Sequence, residues 1–181
     1  MMLYFKERNS AMKTSATQRL VLTSTLAALT CAATLIHVPA INGYANLGDC
    51  LVLVCAWVLG PLYGTLAAAI GSALADIILS YVIYAPATFV IKGLMAVAAY
   101  FVYLILSKTF KKNLPALIIG AVTAELIMIF GYFAFECILY GHGGGLASIV
   151  ANLAQASAGA IGGVTLYVVL SGSPIIKKMR K

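Results

Sequence analysis

Residues 60–93 form the stretch that most constrains the fold of this chain, and they read GPLYGTLAAAIGSALADIILSYVIYAPATFVIKG. Two apolar runs are joined by an aromatic turn at residues 81–86, and each run carries one charged residue, Asp76 or Lys92. Charges inside apolar spans are costly and tend to mark functional positions. We therefore expect Asp76 and Lys92 to lie at or near a functional site.

The whole chain is apolar enough to be an integral membrane protein. Of its 181 residues 62% are hydrophobic and only 9% are charged, whereas soluble domains carry about 25% charged residues. One transmembrane helix needs about 20 apolar residues, so a chain of this length has room for about six. The composition predicts an all-α membrane protein, a six-transmembrane-helix bundle without a soluble catalytic domain.

The net charge of +7 reflects topology rather than a nucleic-acid surface. Basic residues that collect at the ends and in one loop are typical of the cytoplasmic side of a membrane protein. This pattern predicts two cytoplasmic termini and leaves Lys92 as the exception. The clustered basic residues are Lys6, Arg8, Lys13, Arg19, Lys108, Lys111, Lys112, Lys177, Lys178, Arg180 and Lys181.

These patterns divide the chain into a basic leader, one membrane domain and a basic tail. The leader covers residues 1–16, the membrane domain residues 17–172 and the tail residues 173–181. The apolar run that follows the leader is longer than the core of a signal peptide, so we expect it to be retained as the first span. The predicted spans are residues 17–36, 47–59, 62–80, 86–107, 114–140 and 146–170, with outer loops at 37–46 and 141–145.

On this topology most polar residues within the spans, and several aromatic residues beside them, fall in the outer half of the membrane. Aromatic walls with a few polar groups are typical of small-molecule pockets. We therefore predict an outward-facing substrate site, with the loop at 37–46 and the turn at 81–86 as lids. The candidate substrate-binding residues are Asn42, Tyr44, Asn46, Asp76, Tyr84, Lys92, Tyr132, Glu136, Asn152 and Gln155.

Structural roles compete with ligand binding at several of these positions. Lys92 and Asp76 have similar predicted depths and would form a buried pair. Asp49, in the first turn of its helix, is suited to capping. Asn152 and Gln155 are equally suited to hydrogen bonds between helices. Glu125 lies deeper and is interpreted as structural or as part of a gate.

Small residues recur at every fourth position of the first span, at Ser24, Ala28 and Ala32. Such a stripe lets another helix approach closely. It predicts either a contact within the bundle or a docking face for another protein, and the sequence favours neither.

Enzymatic and metal-binding functions find no support in the sequence. The four cysteines form no CxxC pair, both histidines fall in predicted loops, and neither HExxH nor GxSxG occurs. A Walker A motif is also missing, so the chain cannot hydrolyse ATP in that way. We expect no enzyme activity, no metal and no cofactor bound by this chain.

Three segments resemble the substrate-binding S components of energy-coupling factor (ECF) transporters: GYANLGD at 43–49, GPLYGTLAAAIGSALAD at 60–76 and YAPATFVIKGLMA at 84–96. The resemblance covers essentially all predicted helices and is closest to the branch for hydroxymethylpyrimidine, a thiamin precursor, and vitamin B6-type compounds. It implies a multi-pass protein of the bacterial plasma membrane that captures a vitamin from outside. A transmembrane coupling protein and two cytoplasmic ATPases, which use ATP, would be its partners.

The same resemblance implies that Ser24, Ala28 and Ala32 contact the coupling protein. Three alternative functions remain. The chain could be a riboflavin-specific S component, or a self-sufficient secondary transporter or channel in which Asp76, Lys92 and Glu125 relay ions. An intramembrane enzyme using Asp76 or Glu136 is the third.

Overall fold

A computed structural model describes residues 16–110 and 113–173 as four helices and one short β-hairpin. The helices are α1 (Ala16–Leu35), α2 (Gly48–Ile78), α3 (Ala85–Leu106) and α4 (Asn113–Ser171), and the strands are β1 (His37–Pro39) and β2 (Tyr44–Asn46). The predicted helical class is confirmed. Nearly all of the predicted leader and tail lies outside the described residues.

Helix α2 reverses direction at Gly60. This residue has φ 80° and ψ −173°, in the region of positive φ that residues with a Cβ avoid. After the reversal Gly64 lies so close to Cys55 that a Cβ on it would collide with the Cys55 carbonyl group. Residues this far apart in a straight helix would be separated by about 13 Å. The two parts of α2 are therefore an antiparallel pair, as the Gly60–Pro61 break predicted.

Helix α4 reverses in the same way at Gly141, where φ is 75° and ψ is 177°. A Cβ on Gly145 would lie 3.0 Å from the carbonyl oxygen of Phe133, so the chain folds back along itself. The prediction of an outer loop over residues 141–145 is wrong, because the turn needs only Gly141 and the helix resumes directly after it. The four helices thus comprise six helical segments.

The first segment of α2 forms the centre of the bundle. Val52, Leu53 and Cys55 have at most 1% of their surface exposed, and the cluster around them draws on all four helices. The Trp57 indole nitrogen donates a hydrogen bond of 3.1 Å to the carbonyl oxygen of Ala99 in α3. Beyond Asp49 in its first turn, this short segment is apolar on every face because other helices, rather than lipid, surround it.

The exterior of the protein is apolar as well. Ile138, Val150 and Val169 are 82%, 76% and 72% exposed, respectively. Among the described helices, three are long and apolar enough to cross a membrane, namely α2, α3 and α4. Apolar side chains on the outside of a well-packed bundle indicate contact with lipid.

The bundle has two distinct ends. At the hairpin end, which comprises residues 37–46, 79–84 and 141–145, the β-hairpin covers the helices where a loop was predicted, with His37 opposite Asn46. The opposite end carries a depression, which is lined by Arg19, the Gly60 reversal and Ser107 among other residues. Among the described residues, Arg19 and Lys108 are the basic side chains other than Lys92, and both belong to this opposite end.

Candidate functional site

A small cavity lies at the hairpin end, beneath the β-hairpin. All ten predicted substrate-binding residues line it, together with Thr34, Ala40, Gly43, Thr88, Ser148 and Ala151. Every helix and the hairpin contribute to its walls. The free interior is about 20 Å³, which is room for about one water molecule. A vitamin-sized ligand therefore requires the covering hairpin and the side chains to move apart.

Lys92 forms its ion pair with Asp49, and not with Asp76 as the predicted depths suggested. Both side chains are almost completely buried, at 1% and 0% exposure. The predicted capping role of Asp49 is also wrong, because the first turn of α2 already lies inside the bundle and its carboxylate points at Lys92. The Lys92 ammonium lies 5.4 Å from the ring centre of Tyr132, at the distance of a cation–π contact.

Gln155 connects this ion pair to the hairpin. Its side-chain nitrogen donates a hydrogen bond of 2.7 Å to Asp49, and its oxygen accepts bonds of 2.8 and 3.2 Å from the backbone and side-chain nitrogens of Asn46. Asn152, in contrast, donates only to Ser148 one turn earlier in its own helix, at 3.4 Å. Both side-chain amides were predicted to be suited to hydrogen bonds between helices. Among the described hydrogen bonds, only those of Gln155 connect different elements.

Two further acids face the cavity, each held by a tyrosine. The hydroxyl of Tyr44 in β2 donates to Asp76, and the hydroxyl of Tyr84 donates to Glu136 at 3.3 Å. Burial, and after it the hydrogen bond to Asp76, raises the pKa of the Tyr44 phenol, so this tyrosine stays a donor. Tyr81 bridges the two tyrosines, with ring centres 5.0 Å from Tyr44 and 6.1 Å from Tyr84.

Three hydroxyl-bearing residues in the cavity wall were missed from the sequence: Thr34, Thr88 and Ser148. Thr88 lies 2.9 Å from the Tyr132 hydroxyl, and Ser148 is the partner of Asn152. Thr88 precedes Lys92 by four residues and Ser148 precedes Asn152 by four, which places each pair on one helix face. This four-residue spacing is the sequence signal from which Thr88 and Ser148 could have been predicted.

Glu125 is buried but does not line the cavity. It is 4% exposed, neither carboxylate oxygen has a hydrogen-bond partner among the described bonds, and both Glu125 and Asp49 pack against Gly159. A side chain at Gly159 would meet both acids, so this glycine permits their close approach. Its position agrees with the interpretation of Glu125 as a deeper, structural group.

The small-residue stripe of α1 faces away from the bundle. Ser24, Ala28 and Ala32 are all exposed, whereas Thr30 and Thr34 on the other face are buried against α2. The interpretation of the stripe as a contact within the bundle is therefore wrong for these three residues. Their face is free to contact lipid or another protein.

Comparison with known proteins agrees with this architecture. The sequence profile of the family described as ECF-type riboflavin transporter, S component, matches residues 14–171. A Pyrococcus woesei protein described as "Uncharacterized protein in gap 3'region" is 36% identical over 138 residues, which are 75% of this chain and 87% of that protein.

The fold has a solved counterpart in a study described as "Structure and mechanism of the S component of a bacterial ECF transporter". The two chains superpose with a TM-score of 0.70 at 21% identity, over 87% of this chain and 97% of the other. The family consists of transporter subunits rather than enzymes. The chain belongs to the ECF-type riboflavin transporter S component family, whose members are the substrate-binding membrane subunits of ECF transporters.

Proposed function

We propose that this protein captures a small vitamin or vitamin precursor at its hairpin end and delivers it inward together with a coupling protein and two ATPases. The observation that carries the proposal is the convergence of ten polar and aromatic side chains, from α2, α3, α4, the turn before α3 and the hairpin, on one covered cavity. ATP is consumed by the partner subunits, and this chain binds no cofactor. In this proposal the chain spans the cell membrane six times with both termini inside.

The best candidates for the ligand are hydroxymethylpyrimidine and pyridoxine-type B6 compounds. The sequence resemblance favours them, and so does the small interior of about 20 Å³, since a single ring requires less rearrangement than a larger ligand. Riboflavin, which is part of the family's description, is the rival ligand. Its three fused rings and sugar-alcohol chain would need a much wider opening.

Two measurements test the proposal. The protein is purified without its partners, and copurifying small molecules are identified by mass spectrometry. Uptake of labelled hydroxymethylpyrimidine, pyridoxine and riboflavin is then compared in cells with and without the coupling module. We expect one single-ring vitamin to bind the isolated chain and to be taken up only when the module is present. A folded protein that binds none of them would contradict the proposal.

A self-sufficient secondary transporter is the second candidate, because Glu125 and the Asp49–Lys92 pair are buried charged groups of the kind that relay ions. The purified chain alone in liposomes distinguishes the two. Accumulation of ligand driven by a pH gradient, without partners, would favour the secondary transporter. Binding without accumulation supports the S-component function.

A further inference from the structure

The buried charges around the cavity do not balance. The described part of the chain buries four acids, Asp49, Asp76, Glu125 and Glu136, but only one base, Lys92. The positive charge of Lys92 is paired with Asp49. Asp76 and Glu136, the two other acids that line the cavity, have no basic partner among the described residues.

Each of these two carboxylates also has one oxygen without a partner. Asp76 is 3% exposed and Glu136 is 2% exposed, yet Oδ2 of Asp76 and Oε2 of Glu136 make no hydrogen bond. A buried polar atom without a partner costs free energy, and such atoms are rare in folded proteins. Two of them in the wall of one cavity indicate acceptor positions for a ligand.

The hydroxyls of Thr88 and Ser148 lie close to Asp76 and Glu136, respectively, and interact with them, but each also has another hydrogen-bond partner. Ser148 donates its only hydrogen to the carbonyl oxygen of Gly145 at 2.9 Å. The hydroxyl of Thr88 pairs with that of Tyr132 at 2.9 Å. The two tyrosines that reach the acids, Tyr44 and Tyr84, occupy the other oxygen of each carboxylate. The free oxygens therefore remain available to a bound molecule.

We infer that the cavity selects a ligand that presents the N–H donors of an amino group to Asp76 and Glu136. The inference rests on the proposed function and narrows its substrate class to amino-bearing nitrogen heterocycles. Charge-assisted N–H bonds to carboxylates are about twice as strong as neutral ones. A ligand with a positive charge also offsets the uncompensated negative charge of the site, which a neutral hydroxyl-bearing ligand cannot do.

Matched ligand pairs test this on the unchanged protein by titration calorimetry. The first pair is hydroxymethylpyrimidine, which has an amino group on its ring, and its analogue with a methoxy group in that place, which has no N–H donor. The second pair is pyridoxamine and pyridoxine, which differ by an amine and a hydroxyl. We expect the amino member of at least one pair to bind about tenfold more tightly. One additional hydrogen bond to a charged group raises the affinity by about this factor.

Amide variants then assign the effect to the two acids. Asp76→Asn and Glu136→Gln keep the side-chain shape but replace one acceptor oxygen by a donor, and each should remove most of the preference for the amino ligand. Glu125→Gln, the same change outside the cavity, should keep it. Melting temperatures confirm that each variant is folded, and the ligand pairs remain decisive if one is not.

The outcomes separate this inference from the function. Equal or tighter binding of the oxygen-containing members, or an amino preference that survives both amide variants, overturns the inference. Tight riboflavin binding that also survives both substitutions overturns it too, but leaves the role as an S component intact. Absence of binding by every vitamin tested would instead contradict the proposed function.

Discussion

The Asp49–Lys92 pair joins the centre of the bundle to the wall of the cavity. Lys92 comes from α3 and Asp49 from the start of α2, and Gln155 from the last segment of α4 holds the second oxygen of Asp49. Removing one partner of a buried pair leaves an uncompensated charge, which costs far more than the pair contributes in net stability. A change of one residue therefore measures the cost of the unpaired charge, and the net contribution of the pair is measured only when both residues are changed.

We predict that Lys92→Met destabilises the protein by about 3–5 kcal/mol, because Asp49 is then buried without its cation. Adding Asp49→Asn to that variant should recover a large part of the loss. Thermal unfolding in detergent measures both, with Lys108→Met, at an exposed position of the opposite end, as the control. A double variant no more stable than Lys92→Met alone would show that the pair is not what holds these helices.

The positions of the ten candidate residues could be predicted from the sequence, but their partners could not. Depth along each helix follows from counting residues from the helix ends, and together with the predicted loop and turn at the outer ends it was enough to predict the ten residues that line one cavity. Which acid meets Lys92 depends on how far each helix is rotated about its axis. One sequence does not determine that rotation, so the predicted depths favour Asp76 as the partner, whereas the structure pairs Lys92 with Asp49.

At the scale of elements, glycine content misled the prediction at residues 141–145. Only Gly141 has a positive φ, while Gly144 and Gly145 are helical and lie against Tyr140, Cys137 and Phe133. There the missing side chains serve close packing rather than a turn. The β-hairpin was missed because its strands are only three residues long, too short for an alternating pattern to be recognised.

The outward face of α1 leads to a prediction about coupling. Ala28→Leu should weaken association with the coupling protein and reduce uptake, because a larger side chain keeps a partner helix at a distance. Ligand affinity of the isolated protein should not change, since Ala28 does not line the cavity. Copurification with the coupling module and calorimetric binding are the two measurements.

Ala134→Leu is the matched control for this experiment. It makes the same change at an exposed alanine of α4 and should leave both measurements unaltered. Equal loss of coupling in the two variants would mean that added bulk anywhere on the exterior disturbs the complex. Loss of ligand binding in Ala28→Leu would count against a docking role for the stripe.

The hairpin covers the cavity, and besides the bonds from Asn46 to Gln155 it is fastened to α4 by one side chain at its tip. The amide nitrogen of Asn42 donates a hydrogen bond of 2.9 Å to the carbonyl oxygen of Gly144. Asn42→Ala removes this bond, so we expect faster association and faster dissociation of the ligand, measured by stopped-flow fluorescence. Ile41→Ala changes the neighbouring residue, which is 78% exposed, and should leave both rates unchanged. Unaltered rates in Asn42→Ala would show that the hairpin does not control access.

At the scale of the whole molecule, the two ends differ in charge and in chemistry. The hairpin end carries the covered cavity, and the opposite end carries Arg19 and Lys108. Basic residues near the ends of membrane helices favour the cytoplasmic side. From the same rule we predict that the cavity of the folded protein faces outward, as the proposed capture of an external vitamin requires.

Labelling of single cysteines tests this orientation. In a background with Cys31, Cys50, Cys55 and Cys137 replaced by serine or alanine, one cysteine is introduced at Ile41 in the hairpin or at Lys108 at the opposite end. Both positions are exposed, so a maleimide can reach them from water. Intact cells are treated with a reagent that cannot cross the membrane, and permeabilised cells serve as the reference.

We expect Ile41→Cys to react fully in intact cells and Lys108→Cys to react only after permeabilisation. Ligand binding by each variant verifies that the fold has survived replacement of the buried Cys50 and Cys55. The reverse pattern would direct the cavity toward the cytoplasm, where it could not capture an external vitamin, and uptake would then need another route. Labelling of both sites in intact cells would mean that the described segments do not separate the two ends by a membrane. Only the expected pattern places the acidic cavity, the hairpin that covers it and the α1 stripe in the order that capture from outside followed by delivery inward requires.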